Sequence, residues 1–223
     1  MKICCVADLH CYLPEIPDCD LLLIAGDVTH HNRKPQLPSD IARLYAWAEC
    51  KFAPWLDDLR KRDIQVIGVA GNHDFIFYDD RQFGKSLPWI YLEDSGYNYQ
   101  GINIWGSPWQ PQFGDWAFNA KESRLAEYWQ LIPENIDILL LHGPPFAHLD
   151  YSIFGDEHTG SVSLWNRISI IQPRYVICGH IHSGREQGPN GDGIDKILDS
   201  TVINCSLVDE SYFPAHEPMI FNY

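Results

Sequence analysis

Five short apolar runs in this sequence end on residues that favour divalent metal ions. Val6-Ala7 passes into Asp8-Leu9-His10, Ile24-Ala25 into Gly26-Asp27, and Val69-Ala70 into Gly71-Asn72-His73-Asp74. Later, Leu139-Leu140-Leu141 passes into His142-Gly143, and Val176-Ile177-Cys178 into Gly179-His180-Ile181-His182. Carboxylate, imidazole and amide oxygen without thiolate make a hard-to-borderline ligand set, which suits manganese, iron or zinc. One Asp or His at a strand end is more often a cap or a solvated turn. Five such endings at the same end of their strands are hard to obtain by accident. Asparagine in place of a third carboxylate leaves a two-ion centre net positive even with a hydroxide between the ions, and so attractive to phosphate.

The elements that would position these residues alternate short and long. Residues 2–7, 20–25, 64–70, 102–105, 137–141, 175–178 and 201–205 read as strands. Their Leu, Ile and Val hardly alternate with polar residues, which predicts burial on both faces. Helices are expected over 40–62, 121–131 and 162–171, with Ser39 and Ser161 as N-caps and Pro173 as a stop. Pro54 should break or kink the first of them. The layout is α/β in one domain, residues 1–223, with helices covering the sheet. In such sheets, sites assemble at the carboxyl ends of the strands, and glycines beside the ligands let the backbone turn sharply.

The bulk numbers narrow the partners. The chain carries a formal charge of -14, which repels long polyanions, so nucleic acid is a poor partner and a small phosphate ester a better one. Arg60-Lys61-Arg62 reads as the solvated end of a helix. No apolar run reaches the roughly 20 residues that span a bilayer, so no membrane association is expected. Seven cysteines lack framework spacing, and Cys4, Cys5, Cys178 and Cys205 sit in strand-like runs as buried thiols. Met1–Ala7 reaches Asp8 too soon for a signal peptide, and a cytoplasmic protein is expected. Oligomeric state is not legible.

Together, Asp8-x-His10, Gly26-Asp27, Gly71-Asn72-His73-Asp74, His142 and Gly179-His180-x-His182 resemble the full signature of the calcineurin-like metallophosphoesterase superfamily. His142-Gly143-Pro144-Pro145 with His148 and Asp150, Gly160-Ser161, and Asn204-Cys205-Ser206 are similar to its metallophosphoesterase-domain-containing (fetal-brain) branch. The resemblance implies a four-layer αββα sandwich with two mixed β-sheets and a dinuclear metal site at the strand C-terminal ends. It assigns Asp8, His10 and His182 to one divalent ion, Asn72, His142 and His180 to the other, and Asp27 to both. Manganese stands first as the metal, with iron and zinc as alternatives. His73 would face the substrate as general acid, its imidazole kept charged and aimed by Asp74, while a metal-bridging hydroxide attacks phosphorus in line. The activity expected is phosphodiester hydrolysis on small substrates, cyclic nucleotides included. Phosphomonoesterase or protein phosphatase is the alternative, and a non-catalytic scaffold the reading from another class.

Other residues carry weaker signals. His148, Arg185 and Trp109 are candidate substrate contacts. Trp109, Phe113 and Trp116 follow a strand in a Gly- and Pro-rich stretch, and at least one is expected to line a cleft. The aromatic-rich segment 75–118 reads as loops packed over the core edge. His30 and His31 are read as surface residues, and His158 and His216 as structural or solvated.

Overall fold

The computed structural model describes residues 1–30 and 37–223; His31 lies outside them. One sheet has the spatial order β15 (Met219–Asn222), β1 (Lys2–Val6), β2 (Leu21–Ala25), β3 (Gln65–Val69) and β4 (Ile90–Tyr91). Strands β1 to β4 are parallel, and β15 is antiparallel to β1. The other sheet has the order β13 (Ile194–Ile197), β14 (Ser200–Asn204), β12 (Tyr175–Cys178), β9 (Ile138–Leu141), β6 (Ile102–Ser107) and β5 (Ser95–Tyr99). Its four central strands are parallel and both edges antiparallel, so the two sheets are mixed.

Side-chain period two explains why the strands show no polar alternation. Ile3, Cys5, Leu21, Leu23 and Ile67 of the first sheet pack between the sheets with Ile104, Ile138, Leu140 and Ile177 of the second. The opposite faces pack on helices. Cys4, Val6, Leu22 and Ile24 meet Leu44, Phe52 and Leu56, and Leu139, Leu141, Val176 and Cys178 meet Leu125, Trp129, Leu164 and Ile168. The result is the expected four-layer αββα sandwich. Cys4, Cys5 and Cys178 in strands, and Cys205 just after β14, are buried free thiols.

Local chemistry sets the helix limits. Helices α1 (Pro38–Trp47) and α2 (Ala53–Lys61) are joined by a π-helical turn, Ala48–Phe52. The wider turn accommodates Pro54, which has no N–H and would clash with the carbonyl four residues back. Ser39 does not cap α1: the N-cap is Leu37, without a side-chain bond, because the helix begins one residue before Ser39, at Pro38. Ser161 does cap α6 (Val162–Ile171), accepting from Leu164 N, and the helix ends on a left-handed Gln172 before Pro173. Helix α5 is Glu122–Gln130. Segment 75–118 is more regular than expected. It holds α3 (Phe75–Asp79), α4 (Arg81–Ser86) and the two-residue strand β7 (Gln110–Pro111), which pairs with β8 (Asn119–Ala120) just past its end, besides β4, β5 and β6. Such short elements leave no readable periodicity. Strands β10 (Tyr151–Ser152) and β11 (Glu157–His158) form a small hairpin. No described helix is long and apolar enough to cross a membrane.

Candidate metal centre

Because β1, β2 and β3 are parallel, and β9 and β12 likewise, all five strands release their following residues at one edge of the sandwich. Asp8, His10, Asp27 and His180 adopt left-handed φ of 56, 42, 52 and 69 degrees. For residues with a Cβ this costs on the order of 1 kcal/mol or more apiece, strain that is typical of functional sites. Two glycines are there for space. A Cβ on Gly71 would lie 2.2 Å from Asp27 Oδ1, and one on Gly26 would lie 2.5 Å from His142 Nδ1.

The side chains converge on one crowded patch of overlapping clusters. Ligand atoms lie within 4.8 Å of one another in three overlapping groups: Asp8, His10 and His182; Asp8, Asp27 and His142; and His10, Asp27 and His73. Asp27 Oδ2 is 3.4 Å from His142 Nε2 and 3.8 Å from His10 Nε2, so this carboxylate lies between the two imidazoles. His142 Nδ1 donates to the Ala25 carbonyl at 2.9 Å. A carbonyl only accepts, so in neutral imidazole the lone pair is on Nε2. That nitrogen meets Asn72 Oδ1 at 2.9 Å, and acceptors converging this way suit a cation between them. His182 is held in the same manner: Nδ1 donates to the Asp209 carbonyl at 2.9 Å, and Nε2 faces Asp8 Oδ1 at 3.9 Å. A carbonyl behind a ligating imidazole fixes both its tautomer and its aim.

Burial and mutual charge act differently on these groups. Burial pushes His10 and His180 well below the ordinary histidine value, which keeps both in the neutral form that can ligate a metal. Burial also pushes Asp8 up. For Asp27 burial acts upward too, but the imidazoles of His142, His73 and His10 outweigh it and hold the carboxyl well below its usual range. His142 is lowered by burial and raised by Asp27, and stands at about 9. Both ring nitrogens of His10 are buried without a hydrogen-bond partner among the described residues. Such orphaned donors and acceptors are rare in folded proteins, and a bound cation would use the lone pair.

The remaining candidate residues fall into two groups. His180 lies beside His142, ring centroids 5.0 Å apart, and lines the cleft over the centre. The ring of His73 packs on Trp116 at 4.4 Å and on His10 at 4.7 Å, with Nε2 3.9 Å from Asp27 Oδ2. Asp74 serves a different purpose from the one expected. Its carboxylate accepts from Val28 N, Thr29 N, Thr29 Oγ1 and Gly71 N at 2.7 to 3.1 Å. It thus staples the loop after β2 to the loop after β3 rather than aiming the His73 ring. Buried, and close to Asp27, its pKa rises to about 7.

The three candidate substrate contacts are each held by a neighbouring group. His148 Nδ1 bonds Asp195 Oδ2 at 2.7 Å, and Trp165 Nε1 donates to its Nε2. Arg185 Nη1 donates to the Asp192 carbonyl. Trp109 Nε1 donates to Asp94 Oδ2 and its ring stacks on Tyr128 at 4.5 Å. None of the three lines the cleft, because each is already engaged by a neighbouring loop or helix.

The cleft measures about 560 Å³, and Phe113 and Trp116 do line it. Tyr212 was missed by sequence reasoning: its ring lies 4.7 Å from His10 and 5.1 Å from His182. His30, read as a surface residue, has its ring 5.4 Å from that of His10, and His158 lines the cleft. Tyr212 follows no strand end, and no local signal announced it.

Known proteins resemble this chain in both sequence and fold. A family model described as calcineurin-like phosphoesterase matches residues 1–184. Metallophosphoesterase domain-containing protein 1 of Homo sapiens is 32% identical across 99% of this chain and 70% of its own length. Uncharacterized protein MJ1162 of Methanocaldococcus jannaschii is 30% identical, across 96% of this chain and 90% of its own. Among solved structures, TT1561 of Thermus thermophilus superposes with a TM-score of 0.56 at 14% identity, over 91% of this chain and 88% of that one. This last likeness concerns the fold alone.

Proposed function

The chain belongs to the calcineurin-like phosphoesterase family, and on that premise we propose that it hydrolyses small phosphodiesters at a centre of two divalent ions. In this reading Asp8, His10 and His182 hold one ion, Asn72, His142 and His180 the other, and Asp27 both. The observation that carries it is the position of Asp27 Oδ2, 3.8 Å from His10 Nε2 and 3.4 Å from His142 Nε2, where one carboxylate can serve two sites. Two such ions supply an acidified water and charge neutralisation at the phosphoryl oxygens.

The chain's own residues do the rest. The Ala25 and Asp209 carbonyls keep His142 and His182 in the tautomer that presents Nε2 to the centre. His73 stands at the edge of the centre, on the cleft side, and protonates the leaving alkoxide. Asp74 acts through the backbone, by clamping the two loops that carry Asp27 and His73. The formal charge of -14 favours small substrates over polyanions, and manganese is the metal we would test first.

Asp27→Asn tests the reading. Its metal content should fall below two ions per chain and its turnover should fall with it, further than for loss of any one terminal ligand. Two ions and near-native turnover in the variant would remove the bridging role. Rates on bis-p-nitrophenyl phosphate and p-nitrophenyl phosphate, with manganese, iron and zinc in turn, decide the rest. A faster monoester would replace the diesterase reading with a phosphomonoesterase one.

A further inference from the structure

A further aspartate–histidine pair, Asp150 and His158, lies outside the ligand set, at the hairpin of β10 and β11. Asp150 is fully buried, yet its carboxylate accepts from His158 Nδ1 at 2.6 Å, Gly160 N at 2.9 Å and Ala147 N at 3.0 Å. The Asp150 carbonyl separately accepts from the Thr159 amide and hydroxyl. The loop is therefore closed by bonds that do not need the imidazole. His158 itself keeps 44% of its side chain exposed and lines the cleft, its ring set between Phe146 at 5.6 Å and Tyr151 at 5.3 Å. The two nitrogens of an imidazole point in divergent directions, so tying Nδ1 to a buried carboxylate fixes Nε2 away from the core. A buried carboxylate is costly to maintain, and here it fixes the aim of a half-exposed ring.

The neighbours indicate what that ring would meet. Ser152, Glu157 and Thr159 line the same stretch of the cleft, with Phe154 beside them. Glu157 repels a second anionic group, and no Lys or Arg among the described residues lines the cleft to offset it. Hydroxyl groups suit these partners: they can donate to Glu157 and exchange hydrogen bonds with His158 Nε2 and Ser152.

We propose that the hairpin forms a subsite for the neutral, hydroxyl-bearing alcohol portion of the phosphodiester, with His158 touching it and Asp150 positioning His158. This rests on the diesterase reading, which places the phosphoryl group over the strand ends.

Calorimetric titration of the metal-loaded protein with inorganic phosphate and with glycerol phosphate tests it without turnover. Glycerol phosphate should bind about three- to tenfold more tightly than phosphate, the worth of one hydrogen bond. His158→Ala should abolish that increment and leave phosphate affinity in place, while His158→Gln should restore part of it. Asp150→Asn should raise the KM of a glycerol-bearing diester and spare kcat; should that variant not fold, the two His158 variants decide alone. No increment in the wild type, or equal loss of both affinities in His158→Ala, overturns the subsite. An increment that His158→Ala removes, in a protein that cleaves no diester, keeps the subsite and overturns the diesterase reading instead.

Discussion

The floor and the rim of the cleft are built on different principles. On the floor, Asp8, Asp27, Asn72, His142 and His182 are buried at the ends of parallel strands, each fixed by a neighbouring backbone group or ligand atom. On the rim, Phe113, Phe154 and Tyr212 come from loops and remain 43%, 77% and 40% exposed. The floor has strained φ angles and glycines with no room for a methyl group; the rim leaves its rings partly in solvent, although Tyr212 also has a left-handed φ of 64 degrees. A rigid base with an adaptable edge separates the chemistry, which tolerates little displacement, from recognition, which tolerates more.

Gly71→Ala should break that contrast most severely. The added methyl would fall 2.2 Å from Asp27 Oδ1 and 2.7 Å from His142 Cε1, so one of these must move. Displacement of about 1 Å at a reacting centre costs on the order of 10²-fold, and loss of an ion costs more. Metal analysis and turnover should therefore collapse together for every ester, in a protein whose circular dichroism is unchanged. Full metal content at near-native rate would show that the floor is softer than its packing implies.

His73→Ala sharpens the boundary between floor and rim. His73 Nε2 is 3.9 Å from Asp27 Oδ2, almost the same as His10 Nε2 at 3.8 Å, so distance alone does not separate a ligand from an acid. As general acid, its loss should leave metal content intact. Turnover should slow about 10²- to 10⁴-fold for an alkoxide leaving group and hardly at all for nitrophenolate. Loss of bound metal, or equal slowing of both esters, would place His73 among the ligands.

The smallest effects belong to the rim. Phe113→Ala should raise the KM of a bulky aromatic ester about two- to tenfold, the worth of an aromatic contact, and barely change that of a small one. Trp109→Ala is the contrasting case. It removes the bond to Asp94 and the stack on Tyr128, and should cost about 1–3 kcal/mol of stability while leaving the KM ratio of the two esters alone. A selective KM effect at Trp109 would return it to the cleft.

The two Asp–His pairs show where sequence reasoning stops. His73 and Asp74 are adjacent and invite pairing, yet the Asp74 carboxylate turns to Val28, Thr29 and Gly71. His158 and Asp150 are eight residues apart, with nothing in the sequence to pair them, and are bonded at 2.6 Å. Neighbouring residues at a strand end point in opposed directions, whereas a hairpin brings the end of its second strand back beside the start of its first.

By itself the sequence determined the layered α/β fold and the set of residues gathered at the strand ends. Both follow from local rules: apolar runs that must be buried on both faces, and polar residues placed where parallel strands stop. Tertiary structure alone decided the rest. Tyr212 reaches His10 from near the other end of the chain because the segment after β14 folds back over the centre, making an Ala7–Ser206 bridge as it crosses. Trp109, His148 and Arg185 turn away because a neighbouring loop or helix supplies each with a better partner. A strand end fixes direction through backbone geometry that the sequence encodes locally. A loop takes its direction from whatever it packs against, and that partner lies elsewhere in the chain.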